Sequence, residues 1–128
     1  MNRRIIRSLI IGAALLAACA NNISAAEAPP EDKAIFDTLI TAIINADYES
    51  FVADGVGSFK QMTKEQFDVT CTQLSPRLNT GYQVTYLGAI KKGWGHVTLW
   101  RLTFKVVEDE ALATISLKDG KVSAFTIR

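Results

Sequence analysis

The chain has 128 residues, 48% of them apolar, with 14 lysines and arginines against 13 aspartates and glutamates. That composition supports one small folded domain rather than a disordered chain. Arg3, Arg4 and Arg7 fall in a targeting segment, so the remainder holds 11 bases against 13 acids, and a chain with no basic footprint does not read as a nucleic-acid binder.

The N-terminus reads as an export signal, residues 1–26. Three arginines form a positive n-region and Ser8 to Ala18 an apolar h-region. That run falls far short of the ~20 residues a spanning helix needs. Leu16-Ala17-Ala18-Cys19 resembles the lipobox of bacterial lipoproteins, which implies lipidation at Cys19 and attachment to a membrane through it. Ala20, not aspartate, follows the cysteine, and in such proteins this favours an outer-membrane lipoprotein facing the periplasm. Ser24 and Ala26 also satisfy ordinary cleavage after Ala26, which would release a soluble periplasmic or secreted protein. Arg3-Arg4 before Ile5-Ile6 lacks the fuller twin-arginine pattern.

Residues 27–30 read as a linker, the end of a polar, alanine-rich tether closed by Pro29-Pro30. Residues 31–128 read as a single domain. Phe36, Leu39, Ile40 and Ile43 recur at i, i+3, i+4 and i+7, one buried helix face. Asp47 caps a second short helix that turns Phe51 and Val52 inward. Gly55 and Gly57 break the chain. Thr63-Lys64-Glu65-Gln66 is a capping box opening a third helix with the stripe Phe67, Cys71, Leu74 and Leu78. Pro76 is expected to kink or stop that helix near Ser75.

From Gly81 the period becomes alternating. Tyr82 to Lys91, His96 to Val106, Ala111 to Leu117 and Lys121 to Ile127 are strand candidates. Asp119-Gly120 is a two-residue hairpin turn, and Gly93-Trp94-Gly95 and Glu108-Asp109-Glu110 mark the other connections. The expected fold class is α+β: three N-terminal helices packed on a curved, four-stranded antiparallel meander.

Asn45-Ala46-Asp47-Tyr48-Glu49-Ser50-Phe51-Val52-Ala53-Asp54 resembles the end of the first helix in nuclear transport factor 2-like domains of the ketosteroid isomerase and polyketide cyclase type. The likeness covers most of residues 31–128 and looks strongest to small bacterial members with an export signal. It implies a cone-like fold enclosing an apolar pocket. The enzymes of that group place a general-base aspartate on a strand after the short helices. Here Ala53-Asp54 runs into Gly55-Val56-Gly57-Ser58 and another helix, so no catalytic residue carries over.

His96 is the only histidine, which removes paired-histidine metal sites and His-based triads. It shares a strand face with Trp100, where backbone or water satisfies it or a ligand meets it at a pocket mouth. Cys71 lies on the third helix's apolar stripe with no cation one turn away, so it reads as a core residue without a disulfide partner. Trp94, beside Lys91 and Lys92, is a candidate surface contact with a membrane or partner.

Trp100, Leu102 and Phe104 share one face of their strand, and Val97, Leu99, Arg101 and Thr103 the other. One face packs on the helices, while the second is too apolar for plain solvent. No metal, cofactor or catalytic constellation is expected. The function read from these features is a non-enzymatic binding or assembly module of the cell envelope, self-associating or meeting an envelope protein. The alternatives are a carrier with a small apolar ligand among Tyr82, Tyr86, Trp100 and Phe125, or an isomerase- or cyclase-like enzyme.

Overall fold

Helix α1 (Pro30–Ile44) buries Phe36, Leu39, Ile40 and Ile43 on one face in the computed structural model, which describes residues 27–106 and 108–128. The expected export signal, lipobox with Cys19 and cleavage site after Ala26 lie outside the described residues. The buried stripe begins one turn before the apolar residues do, because Asp32 is buried too. Pro30 is the first helical residue and not the end of an extended linker. Its fixed φ suits that position, where its missing amide would have no partner.

Asp47 caps α2 (Tyr48–Val52), accepting from the Ser50 amide at 3.2 Å. The expected three helices become four among the described residues. Gly57 opens a single extra turn, α3 (Gly57–Lys60), which buries Phe59 against Phe51 at 5.1 Å between ring centres. Burial of that ring is the driving force the glycine-rich spacing concealed.

The capping box forms at the start of α4 (Lys64–Asn79): Thr63 Oγ1 accepts from the Gln66 amide and the Thr63 amide donates to Gln66 Oε1. This helix continues through Pro76, contrary to expectation. Proline there forfeits the bond to the Thr72 carbonyl, and only three residues of the helix follow it. Buried Leu78 and Arg77, whose guanidinium lies 5.6 Å from the centre of the Phe104 ring, hold that end in place.

The strands β1 (Tyr82–Lys92), β2 (Gly95–Phe104), β3 (Glu110–Lys118) and β4 (Lys121–Ile127) form one antiparallel sheet in chain order. Asp119 and Gly120, at φ 51 and 74, make the left-handed turn that matches strand twist. Register slips between Tyr86 and Gly88 and between Ser116 and Leu117 add local bending.

The helices cover the face that carries Thr98, Trp100, Leu102 and Phe104. Phe36 stacks on Trp100 at 4.4 Å. The Trp100 indole N–H donates to Thr98 Oγ1 at 2.9 Å, and that hydroxyl donates to the Ile115 carbonyl at 3.4 Å. A second aromatic group centres on Phe51, which meets Phe59, Phe67 and Phe125. The Ser75 hydroxyl donates to the Ile43 carbonyl at 2.9 Å, joining α4 to the last turn of α1.

Candidate functional site

Asp32 and His96 come together from opposite layers. The Asp32 carboxylate, in the first turn of α1, lies 3.2 Å from His96 Nε2 at the start of β2. Asp32 is the single charged side chain among the buried, described residues, and His96 keeps about a third of its side chain in solvent. The partner of His96 is therefore a carboxylate, where backbone or water was expected. A carboxylate in a helix's first turn is favoured by the dipole, and the imidazole supplies a hydrogen-bonding partner that makes its burial tolerable. Sequence reasoning missed Asp32 because it counted only apolar residues. The signal was its position four residues before Phe36, on the same stripe.

Beside this pair runs an open groove of about 400 Å³ between the start of α1 and β1, lined by Lys33, Val84, Thr85, Tyr86 and Trp100 and closed by Glu27 and Ala28. Tyr86 packs on Trp100 at 4.9 Å. Burial, reinforced by the Asp32 carboxylate, raises the Tyr86 phenol above its ordinary pKa, so it offers a proton donor. Burial acts likewise on Tyr82, with the Asp37 carboxylate adding to it. Asp32 does not line the groove, and the carboxylate that does, Glu27, is exposed at its rim.

The residues expected to line one pocket are thus divided. Tyr86 and Trp100 meet, while Phe125 stands on β4, two strands away, in edge contact with Phe51 at 5.8 Å. The space between helices and sheet is occupied by Phe36, Ile40, Trp100 and Ile115, all fully buried. Cys71 is a buried free thiol whose pKa is raised by burial first and by the neighbouring Asp68 carboxylate second. Neither effect makes a nucleophile.

The other sheet face carries Val97 and Leu99, both partly exposed, with Ile90 and Leu112 nearly half exposed, and none of the described helices covers it. At its margin Arg101 pairs with Glu110 at 3.2 Å, and Thr103 donates to the same carboxylate. Trp94 projects at the β1–β2 turn, also nearly half exposed. Among the described residues, no cluster of three or more acids, histidines or cysteines could hold a metal ion, and no helix is long and apolar enough to cross a membrane. Compared with known proteins, the chain matches no family model and no curated sequence.

Proposed function

We propose that this chain is a non-catalytic assembly module of the bacterial cell envelope that pairs its open sheet face with a second copy of itself. The observation that carries this reading is the apolar centre of that face, formed by Ile90, Val97, Leu99 and Leu112, over which none of the described helices packs. Four strands spaced ~4.8 Å apart and ~30 Å long present roughly 600 Å² per copy. Two such faces bury about 1,200 Å², above the ~1,000 Å² a specific interface needs. A face-to-face pair is isologous, so each residue meets its symmetry mate's surroundings and no open-ended growth results. The Leu16-Ala17-Ala18-Cys19 lipobox supports the envelope address.

Sedimentation of the full chain tests the pairing. The expected result is a dimer at micromolar concentration that Leu112→Lys with Ile90→Lys converts to a monomer of unchanged circular dichroism. A wild-type monomer at the highest soluble concentration refutes it. Intact mass tests the address: a lipid-sized increment lost in Cys19→Ala supports anchoring, whereas a mature N-terminus at Glu27 supports soluble release.

A second reading, carriage of a small apolar ligand, is favoured by the groove beside Tyr86 and Trp100. It is the weaker of the two because the groove is open to solvent and the space behind it, between helices and sheet, is filled.

A further inference from the structure

Strand order places both two-residue hairpin tips at the same end of the sheet. The β1–β2 turn and the β3–β4 turn lie side by side because β2 and β3 pair directly, His96 opposite Leu117. The approach is close: a Cβ built on Gly95 would sit 2.0 Å from the Leu117 carbonyl oxygen. Reading across the last row, Lys92 opposes Gly95, Gly95 abuts Lys118, and Lys118 opposes Lys121. Three exposed lysines thus cross the width of the sheet, with exposed Lys91 one residue inside them. The opposing charges at this end are Asp119, Asp54, which lies 3.8 Å from Lys121, and Asp32, held on His96 opposite Lys91. Lys91, Lys92 and Lys118 have no ion pair among the described residues.

Beyond this row stands Trp94, 47% exposed, in contrast to Trp100 at 1%. Next to the row is a recess of about 420 Å³ lined by Ser58, Lys118, Asp119, Lys121 and Ser123, two ammonium groups against one carboxylate. An indole over a line of ammonium groups matches a bilayer surface. The ring suits the headgroup level, amphipathic as it is, and the lysines suit anionic lipid phosphates. A chain whose residues after the signal are slightly acidic gains an oriented attraction only through such a concentrated basic end.

We infer that the hairpin-tip end of the sheet docks on an anionic phospholipid bilayer, with Trp94 in the headgroup layer and Lys92, Lys118 and Lys121 against lipid phosphates. The inference rests on the envelope address proposed above, and the covalent reach agrees with it. From Cys19 to Glu27 the chain spans at most roughly 27 Å. Glu27 borders the groove beside Thr85, about 23 Å along β1 from Lys92. A lipid on Cys19 therefore leaves enough chain for the tips to touch the same membrane. A dimer axis parallel to the strands presents both copies' tips to one bilayer.

The test uses the full chain with vesicles of phosphatidylcholine, with and without phosphatidylglycerol, and brominated acyl chains as quencher. Quenching and a blue shift are expected only with phosphatidylglycerol, and both vanish in Trp94→Phe, because buried Trp100 reports neither. Lys92→Gln with Lys118→Gln lowers the ratio of docked to undocked tips roughly 30-fold, and circular dichroism confirms that the variant is folded. A chain that floats with both vesicle types while Trp94 stays fully open to aqueous iodide overturns the docking and leaves anchoring intact. A Trp94 response that survives the lysine changes also overturns it, pointing to a contact that is not electrostatic. Docking by a chain that carries no lipid sustains the inference and removes the lipid anchor instead.

Discussion

Asp32 occupies a position on α1 where the helical stripe calls for an apolar residue, and it meets His96 there at 3.2 Å. The carboxylate is buried but the imidazole is partly open to solvent, so the pair gains less than a fully desolvated one and more than a surface contact. Asp32→Ala is expected to cost about 1–2 kcal/mol of unfolding free energy, mostly from the lost hydrogen bond to a charged group. In a double-mutant cycle with His96→Ala, measured by urea denaturation, a coupling of about 0.5–1 kcal/mol is expected. A coupling indistinguishable from zero would show that Asp32 serves the helix terminus and not the histidine. Tyr86 is the neighbour that feels this carboxylate: burial first, and Asp32 second, raise its pKa.

Among the elements, the turn after α1 shows how a local conformation can run against its residue. Ala46 adopts φ 52, a left-handed backbone, while the Asp47 amide reaches back to the Ala42 carbonyl at 2.8 Å. Glycine is the usual occupant of that place because it has no Cβ to clash. Ala46→Gly is therefore expected to stabilise the chain by about 0.5–1 kcal/mol, read as a rise in thermal midpoint. A fall would mean that the unfolded state's gain in freedom outweighs the relief.

Legibility followed the same division between local and long-range signals. The capping box at Thr63, the Asp47 cap and the Asp119-Gly120 turn are short-range chemistry and stand where their residues predicted. The α+β class followed from the switch in hydrophobic period at Gly81. The α3 turn depends on tertiary burial of Phe59, which no local pattern encodes. The stripe that reaches Leu78 already points past Pro76, and an expected stop there gives the proline more weight than the stripe. The Asp32–His96 contact joins residues 64 apart, and a stripe read only for apolar side chains passes over it.

For the molecule as a whole, the deciding question is whether the space between helices and sheet is a cavity or a core. Trp100 sits at its centre, stacked on Phe36 and tilted against Tyr86, with its N–H bonded to Thr98. Truncating a buried tryptophan to alanine costs about 3–5 kcal/mol, less than or near the lower part of the ~5–15 kcal/mol that holds a typical domain together. Trp100→Ala is thus expected to stay folded at low temperature with a void in place of the indole. Such apolar voids remain dry and accept small aromatic molecules. Indole should accordingly raise the thermal midpoint of Trp100→Ala, since a ligand stabilises only the state that binds it, and leave the wild type unchanged. An equal rise in the wild type would mean that the native interior already has room, and the balance would move from assembly through the open sheet face toward carriage of a small ligand. The filled core explains why the two faces of one strand part company: the side with Trp100 spends its apolar surface on folding, and the side with Val97 and Leu99 leaves its own partly exposed.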